Sequence, residues 1–83
     1  MGTMQKTLHS KEYKTLTSWL KAKRVDQGLT VRELAEKIGV AHSFVGKVEQ
    51  GERRLDVIEY LSYCDALTAS PVEGLETIKI SKS

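Results

Sequence analysis

One cysteine, one proline, one tryptophan and one phenylalanine stand among 83 residues. Cys64 has no partner in the chain for a disulfide. His9 and His42 lie too far from it in sequence for a finger-type zinc site, so neither disulfide nor metal is expected to hold the fold. No apolar run approaches the roughly 18 residues of a membrane-spanning helix. Met1 to Ser10 lacks the apolar core of a signal peptide, and the expectation is a soluble cytoplasmic protein. Strand-like alternation is also scarce: only Thr77 to Ser81 alternates, too short a stretch to build a sheet alone. The length suits one small domain and not two, which disfavours an enzyme with a two-lobed cleft. A domain of this size buries only about 60% of its unfolded surface, and association with a second copy is a common remedy.

Charge of one sign is likewise missing from the total. Thirteen Lys and Arg against eleven Asp and Glu leave a formal net charge of +2. The distribution is less even, with eleven basic and six acidic residues in 1–54 and two and five in 55–83. The first part is basic and the last part acidic, which allows an anionic partner for the former.

What the chain has is helical periodicity, carried by Leu16 and Leu20, Leu34 and Ile38, Val45 and Val48, and Ile58 and Leu61. Ser10 caps a helix that runs to about Gln27, where Gly28 ends it. Thr30 and Glu33 form a capping box for a second helix at about 31–38, which Gly39 stops. A third helix spans about 42–50 and meets Gly51, and Asp56 caps a fourth through about Leu67. Ser70-Pro-Val-Glu73 opens a fifth, expected to be short and weakened by Gly74. Residues 1–9 read as a flexible arm, 10–80 as one domain and 81–83 as a tail. The fold class is all-α, a compact five-helix domain. Tyr60, Tyr63 and Cys64 are expected in its core, and Phe44 between core and surface. Trp19 falls away from Leu16 and Leu20, either partly exposed or under the N-terminal arm.

Residues 31–50 have helix-turn-helix spacing. Small Ala35 lets the two helices approach, Gly39 makes the turn, and Val45 with Val48 anchors the second helix. The opposite face of that helix presents His42, Ser43, Gly46, Lys47 and Gln50, all polar or small. The run from Lys21 to Val40, followed by Phe44-Val-Gly-Lys-Val-Glu-Gln-Gly51, resembles the Cro/cI-type (XRE) helix-turn-helix family of phage repressors and bacterial regulators. The resemblance extends from about Leu16 to Leu67. It implies a lambda-repressor-like DNA-binding domain, usually dimeric, whose third helix enters the major groove of double-stranded DNA.

Transferred position by position, the resemblance implies base contacts from Ala41, His42, Ser43 and Lys47. Lys47 can donate to guanine O6 or N7, and Ser43 and His42 can donate or accept. Gly46 has no side chain to read with, so it either permits close approach of helix and DNA or marks a position under weak demand. Phosphate contacts are expected from Lys21, Lys23, Arg32, Gln50, Arg53 and Arg54, placed around one helix-turn-helix. Arg24 and Glu49 match a partly buried ion pair of the family, which would fix the third helix to the first. Two positions depart from the family pattern: Val31 replaces a frequent Gln, and Ala41 replaces a frequent capping Ser or Thr. Val72, Leu75, Ile78 and Ile80 supply apolar contacts, and related short regulators commonly dimerise through this end.

The expected function is therefore a sequence-specific double-stranded DNA-binding regulator. In detail it is a repressor that binds a roughly palindromic operator as a homodimer in a bacterial or phage context. The alternative is a protein-interaction or antitoxin-type module that keeps the fold with little DNA binding of its own. No cofactor, metal, membrane or small-molecule partner is expected. No Cys–His, Ser–His–Asp or phosphate-loop constellation supports an enzyme.

Overall fold

The computed structural model describes residues 10–82, with side chains as far as Lys79. The expected N-terminal arm at 1–9 and the side chain of Ile80 lie outside the described residues. Five helices follow one another: α1 (Lys11–Asp26), α2 (Val31–Ile38), α3 (His42–Glu49), α4 (Val57–Ala66) and α5 (Pro71–Lys82). Their starts follow local chemistry. The Ser10 hydroxyl accepts the Tyr13 N–H at 3.1 Å. Thr30 and Glu33 exchange side-chain and backbone hydrogen bonds at 3.0 and 2.8 Å. Asp56 and Glu59 do the same at 2.7 and 3.0 Å. Each reciprocal pair satisfies two backbone donors that the first turn of a helix leaves open.

The core draws on the first four helices. Leu20 of α1, Leu34 of α2, Val45 and Val48 of α3, and Tyr63 and Cys64 of α4 with Leu67 just after it are all fully buried. Ala35 is buried where α2 meets α3, its small side chain allowing the close approach. Burial pushes the Cys64 thiol above its ordinary pKa, which keeps it protonated and unreactive.

In the second half the expected core of α4 is borne out and the expected length of the fifth helix is corrected. Ile58 and Leu61 have helical spacing, yet they are 70% and 45% exposed. The inward face of α4 is Tyr60, Tyr63 and Cys64, as expected, continued by Leu67. That set follows an i, i+3, i+4, i+7 stripe, which leaves Ile58 and Leu61 on its flank. The fifth helix is not short, because α5 runs for 12 residues through Gly74 and the Thr77–Ser81 alternation.

Gly74 is buried against α1. A Cβ there would lie 2.6 and 2.9 Å from ring atoms of Trp19 and would also strike the Tyr60 hydroxyl. The glycine thus lets α5 lie close on α1, so its helix-propensity cost is offset by packing. Trp19 is partly exposed, one of the two expected placements; its ring covers Gly74 and its Nε1–H donates to Glu73 at 3.3 Å. Tyr60 closes the same junction by donating to the Pro71 carbonyl at 2.7 Å.

Candidate nucleic-acid interface

The turn between α2 and α3 is set by Gly39, whose φ of 88° lies in the left-handed region. Its N–H and that of Val40 both bond to the Ala35 carbonyl, at 2.8 and 3.0 Å. This closes α2 in three residues and redirects the chain into α3. Val45 and Val48 face inward, so the opposite side of α3 must face solvent. Ala41, His42, Ser43, Lys47 and Gln50 are all exposed there. Gly46 is half-buried, but an added Cβ would meet nothing within 4 Å. Ala41 occupies the N-cap position in extended conformation and supplies no side-chain cap. Arg32, Ala35, Glu36, Val40, Ala41 and His42 line a shallow depression beside the turn.

The back of α3 is held by charge as well as packing. Arg24 Nε and Nη2 bond to the two carboxylate oxygens of Glu49 at 2.6 and 3.1 Å. Its Nη1 donates to the Leu29 carbonyl at 2.6 Å. The two side chains are only 11% and 8% exposed. The hydrogen bond to Glu49 holds the Arg24 pKa above its usual value despite opposing desolvation. Next to this pair lies Tyr63, fully buried, whose hydroxyl has no hydrogen-bond partner among the described residues. Burial and the Glu49 charge push its pKa up.

The basic residues named in the sequence separate into groups. Lys21, Arg32 and Lys47 are exposed. Lys23 sits two residues from Lys21, about 160° around the helix. Its ammonium lies 3.4 Å from Glu73 and 5.6 Å from the Trp19 ring centroid, toward α5. One backbone strand of a ligand would not reach both lysines from the same side. Arg54 is exposed, with its guanidinium 5.2 Å from the Tyr13 ring centroid. Arg53 is engaged within the protein: it bridges to Glu59 at 2.9 Å and lies 4.6 Å from the Phe44 ring centroid, with its side chain 42% exposed.

Tyr13, Phe44, Glu59 and Glu73 are therefore partners of the site that the sequence reading missed. Asp56 was legible as a helix start, but its capping-box partner Glu59, whose second carboxylate oxygen meets Arg53, was not singled out. Of the expected dimerisation residues, Val72 and Leu75 are 63% and 49% exposed, while Ile78 packs partly against the core. Val57 and Ile58 on α4 are more exposed still, at 71% and 70%.

Among the described residues no group of three His, Cys, Asp or Glu could hold a metal ion, and no helix is long and apolar enough to cross a membrane. Comparison with known proteins matches this geometry. The helix-turn-helix family model matches residues 20–73. Among solved structures, an XRE-family like protein from Pseudomonas syringae pv. tomato is 35% identical with a TM-score of 0.83, over 99% of this chain and 100% of that one. The clp gene regulator ClgR from Corynebacterium glutamicum is 30% identical with a TM-score of 0.78, over 89% of this chain and 96% of that one. The restriction-modification controller protein C.AhdI from Aeromonas hydrophila is 29% identical with a TM-score of 0.74, over 78% of this chain and 98% of that one. A search of curated proteins found no match. With the turn at Gly39, the buried back of α3 and these likenesses in agreement, the chain belongs to the XRE-type helix-turn-helix family of DNA-binding regulators.

Proposed function

We propose that the protein is a transcriptional repressor that reads a roughly palindromic operator as a homodimer, inserting α3 into the major groove. The observation that carries this reading is the two-sided character of α3. Val45, Val48 and Glu49 are locked to the body of the protein, while Ala41, His42, Ser43, Lys47 and Gln50 face outward. Lys47 donates to guanine O6 or N7, and His42 and Ser43 donate to or accept from base edges. Ala41 offers a methyl contact to thymine, and Gly46 leaves room for the groove wall. Lys21, Arg32, Gln50 and Arg54 serve the phosphates, supplying affinity that carries no sequence information.

A helix of eight residues reads only a few base pairs, so a second copy extends the site. The exposed apolar residues Val57, Ile58 and Leu61 on α4, with Val72 and Leu75 on α5, support self-association. Two reading helices then lie about 34 Å apart, one DNA turn. Two of the similar structures are described as a clp gene regulator and a restriction-modification controller, in keeping with a regulatory role on DNA in a bacterial or phage-infected cell.

The test is selection of bound fragments from random duplex DNA, followed by anisotropy titration of the selected site against a scrambled one. Lys47→Ala should reduce discrimination between the two by about 1–3 kcal/mol. Absence of any preferred sequence at low salt sinks this reading in favour of a protein-interaction module. Val31, which departs from the family pattern, gives that alternative no support, because it is half-buried against the core instead of lying on the reading surface.

A further inference from the structure

Arg53 sits where α1, α3 and α4 meet. Its N–H donates to the Lys47 carbonyl at 3.2 Å, beside the Glu52 N–H at 2.8 Å, so the loop caps α3 at the residue expected to read bases. Its own carbonyl accepts the Tyr13 hydroxyl proton from α1. Nη1 donates to the Arg54 carbonyl at 2.6 Å and Nη2 to Glu59 on α4 at 2.9 Å. The guanidinium carbon stands 4.6 Å from the centroid of Phe44, in the first turn of α3. Glu59 is itself immobilised, since its other oxygen accepts the Asp56 N–H at 3.0 Å.

A phosphate ligand needs uncommitted donors, whereas two of the three guanidinium nitrogens of this 42% exposed side chain are already bonded to acceptors of the protein itself, the Arg54 carbonyl and Glu59. The cation over the ring and the bridge to the carboxylate both favour this intramolecular arrangement. We propose that Arg53 is a positioning residue, which clamps α3 between α1 and α4 and sets the angle at which His42, Ser43 and Lys47 meet base edges. This rests on the DNA-reading role of α3 and deepens it, because it assigns Arg53 to discrimination and not to phosphate affinity. The distinction is physical. Hydrogen bonds to base edges are directional and fail when the helix tilts, while attraction to the phosphate backbone survives a small tilt.

Three variants separate the roles. Arg53→Ala removes the clamp. Arg53→Lys keeps the charge but cannot stack a planar fork on Phe44 while bridging two acceptors. Phe44→Leu removes the ring and alters no charge. Each is titrated with a selected and a scrambled duplex from about 50 to 200 mM salt. All three should lose about tenfold in the ratio of the two affinities, with salt slopes equal to that of the unmodified protein. Arg53→Ala weakening both duplexes alike and reducing the slope by about 1, with Arg53→Lys near the unmodified protein, would overturn the proposal.

Amide hydrogen exchange supplies a readout without DNA. In Arg53→Ala, residues 44–48 of α3 should exchange about tenfold faster while the centre of α1 does not change. Unaltered exchange in α3 overturns the clamp whatever the duplexes show. If the unmodified protein prefers no sequence, the DNA-reading proposal falls and takes the reading role of Arg53 with it, while faster exchange in α3 still separates that failure from failure of the clamp. Should Arg53→Ala not fold, Glu59→Gln keeps the arginine charge, weakens the anchor to α4, and should lose about threefold in the same ratio.

Discussion

Replacing Arg24 by Ala tests how α3 is held more directly than any change on its outer face. The substitution removes three donors, two to Glu49 and one to the Leu29 carbonyl. It leaves a carboxylate that is 8% exposed without its counter-ion. Breaking a buried pair from one side costs roughly 3–5 kcal/mol, chiefly from the stranded charge. A protein of 83 residues has about 4–12 kcal/mol of stability in total. Arg24→Ala should therefore consume about a quarter of it or more. At about 4–8 °C per kcal/mol for a domain of this size, the melting temperature should fall by roughly 12 °C or more. Trp19, the single tryptophan, reports urea unfolding by fluorescence.

The comparison with Arg24→Met/Glu49→Leu makes the reasoning refutable. Replacing both charges by apolar groups leaves no charge stranded, only the Leu29 carbonyl without its Arg24 donor, and should be near neutral. The single change should thus be far worse than the double. A cost below about 1 kcal/mol for Arg24→Ala would mean that the pair behaves as a solvated surface bridge, and the argument from burial would be wrong. Arg24→Lys should fall between, since an ammonium cannot reproduce the two parallel bonds to Glu49. The raised pKa of Arg24 keeps its contribution intact at every pH below its ordinary value, so alkaline titration in the accessible range should not release the pair.

Three further substitutions have worked outcomes. Tyr63→Phe removes a buried hydroxyl that has no partner among the described residues, and should raise stability by about 1 kcal/mol in the same urea assay. Gly74→Ala drives a methyl group into the Trp19 ring, where atoms would lie 2.6 and 2.9 Å away, and should cost about 1–3 kcal/mol with a shift in Trp19 emission. Gly46→Ala meets nothing within 4 Å and should stabilise the free protein by about 0.5–1 kcal/mol, while weakening operator binding if the groove wall approaches that position. A stabilised Gly46→Ala that binds DNA unchanged would show that the glycine does not serve close approach.

The contrast between Gly46 and Gly74 shows where the sequence was legible. Helix starts were, because Ser10, Thr30 with Glu33, and Asp56 act on backbone only a few residues away. The helix-turn-helix was legible for the same reason, its turn and buried spacing lying within 20 residues. Gly74 was read as a weak point because its demand comes from Trp19, 55 positions earlier. On α4 the core residues were legible, since Tyr60, Tyr63 and Cys64 were expected inside and are buried, whereas the exposure of Ile58 and Leu61 despite their helical spacing shows only in the packing. Arg53 and Lys23 read as interchangeable with Lys21 until Glu59 and Glu73 are placed beside them.

Those placements change the meaning of the charge asymmetry. Glu59 and Glu73 belong to the acidic part of the chain, yet each neutralises a cation of the basic part, Arg53 and Lys23. Glu49 neutralises Arg24 in the same way. The acidic segment therefore does not merely lie opposite the basic one. It removes positive charge from the α4 and α5 sides and leaves Lys21, Arg32 and Lys47, all exposed, outside these bridges. Lys11, Lys14 and Lys37 are exposed as well, so an anionic partner meets a field narrower than eleven basic residues would suggest, carried by α1 together with the two helices that flank the turn. This focusing bears on α3, which at eight residues is too short to be stable alone and has no side-chain cap at its start. Its orientation must come from contacts with other helices. The same carboxylates that narrow the field, Glu49 directly and Glu59 through Arg53, are the ones that hold α3 in place.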